Sequence, residues 1–157
     1  MTSYMLITAA DIAATAAQAA TVARKRINHN YHDLADSVQR MLNAVEPDSY
    51  VRPHRHVTPP KTETFLIMQG RLAVLLFDDA GLITHTHILD GIVLKGIDIK
   101  PGLWHSIVAL DSGTVVFEVK DGPYVPATDK DFASWAPPEN TAAAQEYLQY
   151  MKKQIVE

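Results

Sequence analysis

Cysteine is absent from this chain of 157 residues. That absence excludes disulfide bonds and thiolate metal ligands. The net charge is only −4, so the chain lacks the basic excess typical of nucleic-acid-binding proteins, and we expect no nucleic-acid partner. No apolar run is long enough to cross a bilayer. The alanine-rich stretch from Ala9 to Ala23 is interrupted by polar residues and differs from a secretion signal. We therefore expect a cytoplasmic protein without a membrane partner.

The composition is that of a soluble globular protein, with 47% hydrophobic and 20% charged residues. The length suits one compact domain with a substantial core. Within it we expect a helical extension over residues 1–48, a β-barrel over 49–137 and a C-terminal helix over 138–157.

Three helices are predicted. The first covers Ala9 to Arg26, where Thr8 can cap the N-terminus and Asp11 lies near its positive end. The second covers Asp33 to Val45, and the third covers Asn140 to Val156. Apolar residues at helical spacing support the second helix: Leu34, Val38, Met41, Leu42 and Val45.

Between these helices the pattern changes to short strands separated by turn signals such as Asp90-Gly91 and Pro101-Gly102. Close turns without intervening helices favour an antiparallel sandwich or barrel, which is an all-β fold. Seven strands are predicted: Ser49–His56, Glu63–Gln69, Arg71–Phe77, Leu82–Leu89, Ile92–Ile99, Leu103–Leu110 and Thr114–Lys120.

Four residues form a candidate metal site. His54 and His56 are one residue apart, so on a strand both point to the same face. Glu63 follows after a proline-containing turn, and His105 follows the Pro-Gly turn at 101–102. Three imidazoles and one carboxylate suit one divalent ion of iron, manganese, nickel or zinc. Four protein ligands leave one or two open positions, as catalytic sites need.

A second pair with the same spacing, His85 and His87, has no acid at ligand spacing after it. We interpret this pair as facing solvent. His29 and His32 lie between the predicted N-terminal helices, where a structural role is favoured over a functional one.

The order His-x-His, Glu, six residues, Gly, then Pro-Gly-x-x-His resembles the two sequence motifs of the cupins. Six residues separate His56 from Glu63, more than the three or four of the general pattern. Several longer strings between about Arg26 and Glu139 resemble the WbuC family of cupin-fold metalloproteins. They include Ser-Tyr-Val-Arg-Pro-His-Arg-His (49–56), Gly-Pro-Tyr (122–124) and Asp-Lys-Asp-Phe-Ala-x-Trp-Ala-Pro (129–137). The resemblance implies a small antiparallel cupin-type β-barrel, or jelly roll.

Strand alternation places Tyr50 and Arg52 on the face of the two strand histidines, and Lys61 on the face of the acid. Arg52 and Lys61 are candidates to hold an anionic or sugar-like small molecule beside the metal, with a surface ion pair as the alternative for each. Glu118 lies in an apolar strand and faces either a polar cavity or solvent. Tyr124 completes the predicted ligand-binding set.

Three functions remain open. WbuC-like proteins are associated with polysaccharide (O-antigen) gene clusters, and some cupins isomerise or epimerise sugars, so the resemblance implies a metal-dependent enzyme acting on a sugar or another oxygen-rich molecule. The same ligand set also suits an iron(II)-dependent dioxygenase. The third possibility is a non-catalytic module whose metal organises a ligand pocket. We also expect a homodimer, because single-domain cupins often pair through sheet edges.

Overall fold

The structure, a computed structural model, describes residues 3–156. Two helices and ten strands lie in this part of the chain. Their bounds are α1 (Ala9–Thr21), β1 (Arg26–Asn30), β2 (Val38–Val45), β3 (His54–Arg55), β4 (Glu63–Gln69), β5 (Leu72–Phe77), β6 (Ile83–Leu89), β7 (Gly96–Ile99), β8 (Trp104–Ala109), β9 (Thr114–Asp121), β10 (Asp131–Phe132) and α2 (Ala142–Lys153).

The strands form two five-stranded antiparallel sheets. The first sheet has the order β1-β2-β9-β4-β7, and the second has the order β10-β3-β8-β5-β6. Phe65 and Val116 of the first sheet share one buried apolar cluster with Leu72, Val74 and Ile107 of the second. The sheets therefore pack face to face as a jelly-roll sandwich. This confirms the predicted all-β fold of cupin type.

Both outer faces of the sandwich are covered by a helix. Helix α1 places Ala16 and Ala19 against Leu42 of β2 in the first sheet. Helix α2 buries Leu148 and Met151 against alternate residues of the second sheet. Strand β5 is apolar along its whole length because one of its faces packs between the sheets and the other packs under α2.

The predicted helix from Asp33 to Val45 is wrong. Residues 38–45 form strand β2, which pairs with β1 on one side and β9 on the other. Leu42 and Ala44 pack under α1, whereas Val45 packs between the sheets. Because both faces of this strand are buried, its apolar residues are dense enough to imitate helical spacing.

Helix α1 is confirmed, but it ends at Thr21 instead of continuing to Arg26. Its predicted cap is present: Thr8 Oγ1 accepts a hydrogen bond from the Asp11 backbone N–H at 3.1 Å, and the Asp11 carboxylate accepts one from the Thr8 backbone N–H at 3.0 Å. The C-terminal helix is also confirmed, with Thr141 as its N-cap.

The N-terminal strands belong to the sandwich, because β2 pairs with β9 over its whole length. The predicted division of the chain at residue 48 stays a prediction. Within residues 3–156, neither helix is long and apolar enough to cross a membrane.

Candidate metal centre

The four predicted metal ligands meet at one end of the sandwich. His54 of β3 lies directly across from His105 of β8 in the second sheet. His56 follows β3, and Glu63 begins β4 in the first sheet. One ligand atom from each of the four buried side chains lies within 4.8 Å of the others. The centre thus joins the two sheets. It also brings together His54 and His105, which are far apart in the sequence.

Backbone carbonyls orient all three imidazoles. The Nδ1 atom of His54 lies 2.9 Å from the Arg52 carbonyl oxygen, and that of His105 lies 2.9 Å from the Leu103 carbonyl. The Nδ1 atom of His56 lies 2.5 Å from the carbonyl of Asp129. A carbonyl only accepts hydrogen bonds, so each Nδ1 carries the proton. In the neutral ring, each Nε2 then has a free lone pair for a metal.

Glu63 shows why a cation fits between these groups. Its Oε2 lies 2.9 Å from His105 Nε2 and 3.3 Å from His56 Nε2. A neutral imidazole has one N–H, and in both rings the carbonyl contact uses it. Nitrogen and oxygen lone pairs therefore point toward one another, and a divalent ion between them stabilises this arrangement. Three nitrogens and one carboxylate oxygen suit iron, manganese, nickel or zinc.

Electrostatics keep the ligands in the protonation states that metals bind. Burial, and next the nearby His105, lower the pKa of His54 well below its usual value, so that ring is neutral. Burial alone would raise the pKa of Glu63. When these rings carry a proton on Nε2 as well as on Nδ1, hydrogen bonds from His105 and His56, together with the charge of Lys120, outweigh burial and hold that pKa well below its usual range. Glu63 is therefore a carboxylate.

A buried ion network lies behind the centre and is organised by Asp129. Its carboxylate binds Lys61 Nζ at 3.1 Å and Lys120 Nζ at 2.9 Å. Lys120 Nζ also lies 3.9 Å from Glu63 Oε1. Burial favours a lower pKa for Lys120, but the carboxylates of Glu118, Glu63 and Asp129 raise it above its usual value. The same residue that orients His56 through its carbonyl thus holds two ammonium groups through its side chain.

A cavity of about 690 Å³ opens beside the centre. His54, Glu63 and His105 form part of its wall. Most of the rest comes from β1, β2 and β9 of the first sheet and from residues 124–132. Sequence reasoning missed several polar residues of this wall, which are Arg26, Asn28, Asn43, Lys120 and Lys130.

Two of the predicted ligand-binding residues line this cavity. Glu118 is buried and accepts a hydrogen bond from Asn43 Nδ2 at 3.0 Å. Burial and the nearby Glu63 carboxylate raise the pKa of Glu118 to about 8. Tyr124 is 37% exposed at the cavity wall. The polar-cavity alternative for Glu118 is thus the one that the structure shows.

The other three predicted residues direct their polar atoms elsewhere. The Tyr50 hydroxyl donates to the Pro137 carbonyl at 2.9 Å in the core under α2. Arg52 Nη2 donates to the Ala133 carbonyl at 2.8 Å. Lys61 Nζ donates to the Pro123 carbonyl at 2.8 Å and is buried in the ion network. A role of these three in ligand binding stays a prediction.

The second histidine pair has different surroundings. His85 is exposed and His87 is partly buried, and their rings stack 6.0 Å apart at 13°. Among residues 3–156, the centre at His54 is the one cluster of three or more histidines or acids close enough to hold a metal. The prediction that His85 faces solvent is confirmed.

Comparisons with solved structures show the fold. The capsular polysaccharide assembling protein CapF from Staphylococcus aureus matches with a TM-score of 0.53 and 22% identity, over 68% of this chain and 31% of that one. A recombinant oxalate oxidase in complex with glycolate matches with a TM-score of 0.51 and 17% identity, over 71% of this chain and 57% of that one. This chain thus spans about a third of the CapF chain.

At these identities the likeness extends to the fold alone. A search of curated proteins gave no match. A family model described as "Domain of unknown function (DUF6016)" matches residues 7–89, which is more than half of the chain. The buried histidines at 54 and 56, the acid at 63 and the strands β1 to β6 all lie within that match. On this evidence, the chain is a cupin-type jelly roll that belongs to the DUF6016 family.

Proposed function

We propose that this protein holds one divalent metal ion through His54, His56, Glu63 and His105 and acts as an enzyme on a small, oxygen-rich anion in the adjoining cavity. The observation that carries the proposal is the convergence of three imidazoles and a carboxylate oxygen beside that cavity, with His54, Glu63 and His105 in its wall. A bound ion supplies a Lewis acid that polarises a substrate oxygen.

The charges around the cavity support an anionic substrate. Glu63, Glu118 and Asp129 contribute at most three negative charges. Opposite them stand the divalent ion and three lysines at positions 61, 120 and 130. The positive charge exceeds the negative charge even when every carboxyl group is ionised. Because unbalanced buried charge is costly, a carboxylate, phosphate or sugar acid is the ligand that stabilises this site.

The chain's own residues suffice to hold and enclose such a ligand. Glu118 and Tyr124 line the cavity together with the metal ligands, and Phe65 and Ile107 supply apolar wall that excludes water. Glu118, with its pKa raised to about 8, is placed to hold a proton near a bound substrate. Tyr50, Arg52 and Lys61, whose polar atoms bind backbone carbonyls, stay predicted ligand-binding residues.

The sugar class of the substrate rests on two resemblances. The strings at 49–56 and 129–137 are similar to the WbuC family, whose members are associated with polysaccharide gene clusters. A protein of the same fold, CapF, is described as a capsular polysaccharide assembling protein. We therefore propose a role in polysaccharide (O-antigen) biosynthesis. The cytoplasmic location and the homodimer stay predictions.

The test begins with metal analysis of protein purified without chelator, which we expect to show about one divalent ion per chain. The metal-loaded protein is then incubated with a panel of sugars and sugar acids, with and without oxygen, and the products are followed by NMR. Isomerised or epimerised product without oxygen supports the proposal. Product formed only with oxygen indicates a dioxygenase instead, and a stable complex without turnover indicates a binding module. Protein that takes up no divalent metal contradicts all three.

A further inference from the structure

Lys130 differs from the other lysines near the metal centre. It is partly buried and lines the cavity, yet no residue in the described part of the chain, 3–156, forms a hydrogen bond or ion pair with its side chain. Lys61 and Lys120, in contrast, both bind Asp129. Burial, and next the charge of Lys120, lower the pKa of Lys130. Glu63 and Glu118 attract this ammonium group without forming an ion pair with it, so a ligand anion in direct contact with Lys130 is favoured.

Asn43, on another wall of the same cavity, has an acceptor atom that lacks a donor. Its Nδ2 donates to Glu118 Oε2 at 3.0 Å. Its Oδ1 is buried and finds no hydrogen-bond donor among residues 3–156. Leaving a buried acceptor unpaired destabilises the protein. A carbonyl oxygen only accepts, so the group that satisfies it must donate, as a hydroxyl does.

The two residues come from different elements around the metal ligands. Asn43 lies on β2 of the first sheet. Lys130 directly precedes β10, whose Phe132 is paired with His54 in the second sheet. The cavity of about 690 Å³ that both residues line is within the usual range of small-molecule sites. One ligand that carries both a carboxylate and hydroxyl groups can satisfy both residues at once.

We propose that the cavity recognises a polyhydroxylated carboxylic acid, with its carboxylate on Lys130 and a hydroxyl donating to Asn43 Oδ1. Lys130 and Asn43 are then specificity-determining residues. This inference rests on the proposed function, because the ligand occupies the same cavity beside the metal. It narrows the substrate class from oxygen-rich anions in general to hydroxy acids.

Three six-carbon probes separate the two contacts. Gluconate carries both groups, sorbitol replaces its carboxylate with a hydroxymethyl group, and hexanoate lacks the hydroxyls. Binding to the metal-loaded protein is measured by isothermal titration calorimetry. We expect gluconate to bind at least about tenfold more tightly than sorbitol, which cannot pair with the Lys130 charge, and also more tightly than hexanoate, which leaves Asn43 Oδ1 unpaired. Equal affinity for gluconate and sorbitol overturns the proposal.

Two variants assign the contacts to residues. Lys130→Met should remove the preference for gluconate over sorbitol, whereas Lys153→Met, on the exposed end of α2, should keep it. Asn43→Leu should remove the preference for gluconate over hexanoate. If Lys130→Met does not fold, Lys130→Gln replaces it. A Lys130 variant that keeps the full preference for gluconate contradicts the carboxylate contact, and an Asn43 variant that does so contradicts the hydroxyl contact.

Metal content is measured first in every protein, which separates this inference from the function on which it rests. Wild-type protein without metal contradicts the proposed function. Metal-loaded wild-type protein that does not prefer gluconate contradicts the hydroxy-acid inference alone.

Discussion

The two His-x-His pairs of this chain have the same spacing and different surroundings. At His54 and His56 each Nδ1 faces a backbone carbonyl, and Glu63 and His105 lie within ligand distance. At His85 the Nδ1 atom lies 3.2 Å from the neighbouring Thr84 hydroxyl, and the two rings stack beside solvent. Spacing alone places two imidazoles on one face of a strand. The carbonyls and the opposite sheet make one pair a candidate metal centre.

The largest effect should follow removal of an imidazole from the first pair. His56→Ala should lower metal affinity by more than about a hundredfold, because changes even in the outer shell of a metal site cost about 10–100-fold. Metal content after dialysis, measured by mass spectrometry, reports the loss. The matched variant His87→Ala should retain the wild-type content. Equal losses in both variants would remove the distinction between the pairs.

Glu63 supplies the acid that the second pair lacks. Glu63→Gln keeps the size of the side chain and removes its charge, so metal affinity should fall about 10–100-fold while the fold is retained. Competition with a chelating dye measures the affinity, and circular dichroism checks the fold. An unchanged affinity would mean that the carboxylate lies near the metal without binding it.

Glu63 also shows how far the sequence could predict the site. The strand Glu63–Gln69 was predicted with its observed bounds. Six residues separate His56 from Glu63, yet the intervening turn, with an isolated bridge between Val57 and Pro60, returns the acid to 3.3 Å from the His56 ring. Residue types and order were sufficient here because a metal site requires specific donors, which leave a recognisable pattern.

Asn43 and Lys130 show where prediction failed. Asn43 lies on β2, whose two buried faces produce an apolar pattern that helical spacing also fits. Because this segment was predicted to be a helix, the direction of the Asn43 side chain could not be predicted correctly. Lys130 lies in a segment with little regular structure, where no periodicity indicates the direction of a side chain. Its placement depends on tertiary contacts such as those of Asp129, which sequence alone does not reveal.

Asp129 supports the first histidine pair without being a metal ligand, and this support distinguishes the first pair from the second. Asp129→Asn leaves Lys61 buried without its counter-charge and removes one of the three carboxylates near Lys120, so the free energy of unfolding should fall by about 3–5 kcal/mol. Asp131→Asn is the matched control on the same segment. Its carboxylate is half exposed and binds Arg55 at 2.9 Å, so the cost should stay below about 1 kcal/mol. Urea denaturation measures both, and similar losses would show that the buried network adds little stability.

The smallest effect should follow removal of the entire second pair. In His85→Ala/His87→Ala, stability should change by no more than about 0.5 kcal/mol, the usual range for surface positions. The affinity of the metal that resists dialysis should stay at the wild-type value, since neither ring is close to Glu63 or His105. Two imidazoles on one face of a strand still bind added zinc or nickel weakly, and calorimetry at high metal concentration should show this weak binding in the wild type and not in the double variant. If the double variant instead loses metal that resists dialysis, the second pair holds an ion of its own. A metal centre in this chain would then require neither the backbone carbonyls nor the acid of the first pair.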